Sequence, residues 1–115
     1  MSSHQILSLF HVAVVGPFFL YTSLNASSLP TYFFTFLLTL GIALALYQSY
    51  KAYAKYTTGS QDYVINLFHV AVVAPLLIYI GYRHPAASDF SYQLLLMLAF
   101  AVIGYHGYWL VRSLY

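Results

Sequence analysis

The chain has 115 residues, of which 62% are hydrophobic, 20% aromatic and only 5% charged. A soluble globular domain carries about 25% charged residues, so this composition excludes both a water-soluble monomer and a disordered chain. The absence of cysteine excludes disulfides and zinc–thiolate sites, and a formal net charge of +2 is too small to indicate nucleic-acid binding.

Four apolar segments follow one another along the chain, and clusters of turn-forming residues separate them. They cover residues 5–24, 31–56, 63–82 and 90–114. Each is long enough to cross a bilayer, which takes about 20 apolar residues. Continuous apolar runs without alternation favour helices over a barrel. The sequence therefore predicts an all-α membrane protein with four transmembrane helices. The first segment has no basic region before it, so we interpret it as a retained span and not as a signal peptide.

The chain contains an internal repeat. Residues 9–21 read LFHVAVVGPFFLY and residues 67–79 read LFHVAVVAPLLIY, so nine of thirteen positions are identical at an offset of 58. The same offset aligns the second apolar segment with the fourth without a gap. This pattern predicts a tandem duplication of one helical hairpin, with repeats at residues 1–58 and 59–115. Two spans per repeat imply parallel repeats, related by a pseudo-two-fold axis along the membrane normal.

Polar residues within the apolar segments are the candidates for a functional site. They lie at aligned positions and at a similar depth from one face of the membrane, and polar groups at such a depth should face the bundle interior, because lipid offers them no partners. Symmetry would bring equivalent residues close together across one bundle. The predicted polar layer consists of His11, His69, Tyr47, Tyr105, Gln48 and His106, with Ser8 and Asn66 nearer the surface.

Three interpretations of this layer remain open. The side chains could hydrogen-bond across helices and fix the packing. They could relay protons or small ions, since histidine titrates near neutral pH. His11 and His69 could also be the axial ligands of a haem. Our functional hypothesis is the second, a channel-like or transporter-like protein without a cofactor, and the alternative is a structural membrane scaffold or assembly protein. A carboxylate pair and a nucleophile–base set are both missing, so we expect no enzyme.

Two prolines, Pro17 and Pro75, lie in the middle of the first and third segments. Each lacks a backbone N–H and should free the carbonyl of Ala13 or Ala71, which kinks the helix. The kink could act as a hinge beside the polar layer or be static.

The few basic residues predict the orientation of the chain. Lys51, Lys55 and Arg112 lie on the side that holds both termini, and Arg83 lies alone on the other. Short loops rich in Lys and Arg face the cytoplasm, so both termini are expected there. Four packed helices fill their own centre, and a conducting form would therefore be narrow or would require a homo-oligomer.

The segment NLFHVAVVAPLLIYIG at residues 66–81 resembles small hydrophobic proteins encoded by large DNA viruses of algae. The resemblance covers one span and its symmetric copy. That family is uncharacterised, so the resemblance implies no activity and no site residues. It implies a viral or host-internal membrane as the location.

Overall fold

The computed structural model describes residues 2–115 and contains the four predicted helices. They are α1 (Ser3–Leu24), α2 (Thr31–Thr57), α3 (Tyr63–Arg83) and α4 (Asp89–Ser113), and all four are long and apolar enough to cross a membrane. The chain is 86% helical, and no strand occurs among the described residues. The prediction of an all-α chain with four such helices is confirmed, and each boundary lies within two residues of the predicted one.

Side-chain caps fix two of the helix starts. The hydroxyl of Ser2 accepts the N–H of Gln5 at 3.2 Å, and the side-chain oxygen of Gln5 accepts the N–H of Ser2 at 2.9 Å. This reciprocal pair satisfies two N–H groups that the first turn of a helix leaves without partners. The hydroxyl of Ser88 accepts the N–H of Ser91 at 3.2 Å and starts α4 in the same way. The starts of α1 and α4 are therefore each defined by a short-range hydrogen bond.

The helices are grouped into two compact units. The first unit contains residues 2–29 and Ser88–Tyr115, and therefore α1 and α4. The second unit contains Pro30–Ala87, and therefore α2 and α3. Each unit thus combines one helix from each predicted repeat. The division into hairpin repeats at residues 1–58 and 59–115 remains a prediction from the sequence.

In the first unit, α1 and α4 pack antiparallel. The rings of His4 and Trp109 meet edge to face at a centroid distance of 6.4 Å. Further along α1 the helices approach closely, because a Cβ on Gly16 would lie 2.3 Å from the Ile103 side chain. From the end that holds the chain termini to the opposite end, residue numbers rise along α1 and fall along α4, so the two helices run in opposite directions. At the far end of the pair the side chains of Phe19, Thr22, Ser91 and Leu95 are buried.

In the second unit, α2 and α3 are also antiparallel. Tyr56 and Tyr63 meet at one end with ring centroids 5.5 Å apart. Towards the other end, a Cβ on Gly81 would lie 2.6 Å from the backbone nitrogen of Leu38, so the two backbones nearly touch. Small residues at helix contacts permit this close approach in membrane proteins. The completely buried apolar side chains of this unit are those of Leu37, Ala74, Leu77 and Ile80, and Phe34 is only 2% exposed.

Protonation of His84, just after α3, is expected to destabilise the fold. The imidazole stacks on Phe34 with ring centroids 3.5 Å apart, and burial lowers the pKa of His84 below its usual 6.5. The unfolded chain therefore binds the proton more readily, so the free energy of unfolding should fall as the pH drops through about 6.5. Denaturant unfolding in detergent between pH 8 and pH 5 measures this loss.

The matched control is His84→Phe, which retains an aromatic ring against Phe34 but cannot titrate. Its stability should decline less over the same pH range than that of the wild type. Equal declines for the two proteins would show that His84 contributes nothing to the pH dependence.

Candidate functional site

Each of the two helices that carry the repeated motif contains one widened turn. Residues His11–Val15 of α1 and His69–Val73 of α3 form π-helical segments. In this register the N–H of Gly16 donates to the carbonyl of His11, five residues earlier, and the N–H of Ala74 donates to that of His69. Such segments are rare and often occur at functional sites. The sequence predicted a kink at each proline, and the structure places a widened turn directly before it.

Each proline comes two residues after its π segment and has no N–H to donate. The five-residue hydrogen bond from Gly16 to His11 lies directly before Pro17, so neither the carbonyl of Val12, five residues before the proline, nor that of Ala13, four residues before it, receives a hydrogen bond from Pro17. The same holds for the carbonyls four and five residues before Pro75. The polar backbone groups affected by each proline thus lie within the π segment.

Both repeated histidines are held in the same orientation. The Nδ1 atom of His11 lies 2.7 Å from the carbonyl oxygen of Leu7, and that of His69 lies 2.7 Å from the carbonyl oxygen of Ile65. A carbonyl only accepts, so Nδ1 must carry the hydrogen and donate it. In the neutral ring the basic nitrogen is then Nε2. Both repeats therefore present the same protonation form of the imidazole.

The first unit contains a cluster of three polar residues, Ser8, His11 and His106, which we call the first polar cluster. The His11 and His106 rings stack at a centroid distance of 4.1 Å with 21° between their planes. Ser8 precedes His11 by three residues and is completely buried, and its hydroxyl has no hydrogen-bond partner within residues 2–115. Nearer the chain termini, the Gln5 amide donates to the Ser113 hydroxyl at 3.1 Å.

The second unit contains the equivalent residues, Asn66, His69 and Gln48, which we call the second polar cluster. The side-chain amide of Asn66 donates to the side-chain oxygen of Gln48. Asn66 is buried at 6% exposure, and its own side-chain oxygen has no partner in the described part of the chain. Ser8 and Asn66, which occupy aligned positions, therefore share one property. Each has a buried oxygen without a hydrogen-bond partner, one turn before the histidine.

The structure gathers six of the eight predicted layer residues into these two clusters. The other two, Tyr47 and Tyr105, are 58% and 50% exposed, although the Tyr105 ring contacts the edge of His106 at 5.1 Å. The pairing of His11 with His106 was not foreseen, because the repeat directed attention to His11 and His69. The available signal was that His106 lies in the fourth segment, which can pair with the first in an antiparallel arrangement.

The geometry of the first polar cluster disfavours a haem on His11. A porphyrin stands perpendicular to the plane of its axial imidazole, so it would extend from Nε2 along the normal of the His11 ring. The His106 ring lies in that direction, with its centroid 4.1 Å away. Between residues 2 and 115, no group of three or more histidine or acidic side chains could hold a metal ion. The chemical groups of the two clusters are the imidazoles of the histidines, the side-chain amides of Asn66 and Gln48 and the hydroxyl of Ser8.

Comparisons with protein-family models, with curated proteins and with solved structures gave no match to this chain. A functional proposal therefore depends on the chemistry of the two polar clusters. Their shared features are a fixed histidine, a widened helical turn and a buried oxygen without a partner.

Proposed function

We propose that the chain is a small integral membrane protein that passes protons or small ions along the histidines and neighbouring polar side chains of its membrane-spanning helices. The observation that supports this most is the repetition of one arrangement in α1 and α3. In each helix, a histidine at the start of a π segment follows a buried oxygen that has no partner. Polar groups in membrane helices are costly, and groups that only fix packing are normally satisfied.

The first polar cluster lies at a depth that suits a relay from one membrane face. His11 follows the first residue of α1 by eight positions, or about 12 Å at 1.5 Å per residue. The Gln5–Ser113 pair precedes it on the side of the termini. A proton that reaches this depth can bind to Nε2 of His11, while Nδ1–H remains bonded to Leu7. Polar side chains therefore line α1 and α4 from the end that holds the chain termini to the depth of His11.

The second half of the path requires groups beyond the histidine. After the π segment, the next buried polar side chain of α1 is Thr22, whose hydroxyl donates to the Phe18 carbonyl at 2.7 Å. Residues 12–20 have no polar side chain, so the backbone before Pro17 is the polar group that remains there. A continuous path would need water at this backbone or polar groups from a second subunit. We therefore propose a narrow path in a homo-oligomer, with both termini on the cytoplasmic side.

Reconstitution into liposomes tests this proposal. Proton flux is measured with a trapped pH-sensitive dye after a pH step, and cation flux is measured with the corresponding indicators. We expect the double variant His11→Ala/His69→Ala to lose about tenfold or more of the flux, because the imidazoles of both repeats are removed. His84→Phe is the matched control, since it removes a histidine outside the spans, and should retain the flux.

Equal flux in the double variant and the wild type would remove the transport proposal. The result would then favour the alternative, a membrane scaffold in which the histidines serve packing. In that case His11→Leu and His69→Leu should leave the assembly intact, because satisfied polar pairs can be replaced by apolar ones at little cost.

A further inference from the structure

We infer that the first polar cluster is a proton-binding site in which two stacked imidazoles act together, and that the second polar cluster, with Gln48 at the position of His106, contains a single imidazole without this pairing. The role of this site in transport rests on the proposed function, whereas the binding of a proton to it does not. The inference identifies the species that the layer carries as the proton, and it assigns the binding of that proton to one of the two units.

The first argument is the chemistry of two pairs of aligned positions. His106 in the first unit corresponds to Gln48 in the second, and Ser8 corresponds to Asn66. An imidazole gains or loses a proton near neutral pH, whereas a carboxamide does not. In the second unit the side-chain oxygen of Gln48, at the position aligned with His106, already accepts a hydrogen bond from Asn66. The repeats have therefore diverged, so that one cluster contains two imidazoles and the other contains one.

The second argument is the stacking of His11 on His106. Two unit charges about 4 Å apart repel each other strongly inside a protein, so the two stacked rings act as one coupled site. Groups coupled in this way release protons in two macroscopic steps that belong to the pair. Ser8 lies one turn from His11, and its unpaired hydroxyl can accept a hydrogen bond from a protonated ring or from a bridging water.

The third argument is the charge around the pair. On α4 the Tyr105 ring contacts the edge of His106 at 5.1 Å, whereas His4 on α1 and Tyr108 on α4 lie nearer the chain termini. The Arg112 guanidinium donates to the Tyr108 hydroxyl at 3.3 Å. The acidic side chain among residues 2–29 and 88–115 is that of Asp89, at the opposite end of α4. Hard cations are commonly bound by carboxylate oxygens, which the pair does not have beside it, whereas its imidazole nitrogens can bind a proton.

Histidine-resolved NMR of the full chain in detergent micelles tests this assignment. The ring signals of ¹³C-labelled histidines are followed between pH 4.5 and pH 8.5 and are assigned by single substitutions. We expect the signals of His11 and His106 to change together, in the same steps, because the two stacked rings are coupled. The signals of His69, which has the same kind of hydrogen bond but no second imidazole in its cluster, should change independently of both.

The matched variant is His106→Gln, which gives the first cluster the residue that the second has at this position. The coupling of His11 should then be lost. Independent changes of the His11 and His106 signals in the wild type would overturn the inference. That comparison uses two residues of one protein and is decisive even if the variant fails to fold.

The liposome assay separates this inference from the proposed function. Coupled changes of His11 and His106 together with a loss of proton flux in His106→Gln support both. Coupled changes without any proton flux in the wild type overturn the proposed transport but keep the proton site. Sodium or potassium flux as fast as proton flux would overturn the assignment of the proton as the transported species.

Discussion

Gly81→Ala is expected to destabilise the α2–α3 pair by about 1–3 kcal/mol, because it overpacks a contact that has no free space. A Cβ at this position would lie 2.6 Å from the nitrogen and 2.8 Å from the Cα of Leu38. These are backbone atoms of a neighbouring helix, so they cannot rotate away as a side chain can. The free energy of unfolding, measured by adding a denaturing detergent to the folded protein in mild micelles, gives the size of the effect.

Two further glycines provide matched controls for this substitution. Gly104 has open space where a Cβ would be placed, so Gly104→Ala should be neutral or slightly stabilising. At Gly16 the neighbouring atoms belong mainly to the Ile103 side chain, which can change its rotamer, and an intermediate cost is expected there. Equal stability of Gly81→Ala and Gly104→Ala would contradict the close approach of α2 and α3.

Gln48→Leu is expected to cost about 1–3 kcal/mol of stability, because it leaves the buried amide of Asn66 without its hydrogen-bond acceptor. The oxygen of the same side chain already has no partner among the described residues. In the variant, both ends of a side chain that is only 6% exposed would thus be unsatisfied. The free energy of unfolding is measured as for the glycine variants.

The double variant Gln48→Leu/Asn66→Leu tests the physical reason for this cost. Replacing both partners by apolar groups can be nearly neutral, so the double variant should be more stable than Gln48→Leu alone. If the costs of the two single variants simply add, the side chains do not interact. Ser8→Ala is a control at the aligned position, since the hydroxyl that it removes has no partner and its loss should not destabilise the chain.

The four helices were predictable because their signal is local. A bilayer requires about 20 apolar residues per span, and the turn formers around Pro30, Gly59 and Pro85 interrupt the apolar sequence at the right places. The position of His11 and His69 at the same place in two helices was also predictable, because identical sequences adopt the same local conformation. The structure gives both histidines the same hydrogen bond and the same widened turn.

The choice of helix partners was not predictable from these patterns. Apolar helices without strong polar asymmetry present several faces that could pack, and the decisive contacts are close approaches at single small residues such as Gly16 and Gly81. The stacking of His11 on His106 follows from that choice. The π segment was missed for a different reason, since a proline predicts a disturbance of the helix but does not determine which hydrogen-bond register the preceding turn adopts.

The pairing of α1 with α4 and of α2 with α3 has a consequence for how such a chain could arise and be made. If the two halves descend from one ancestral hairpin, neither hairpin contained both members of a pair, so the ancestor would have obtained its packing partners from another copy of itself. Gene fusion would then have joined the two halves of an obligate homodimer. During synthesis, α1 would lack its packing partner until α4, the last of the four helices, has been made, whereas α2 and α3 could pack against each other earlier.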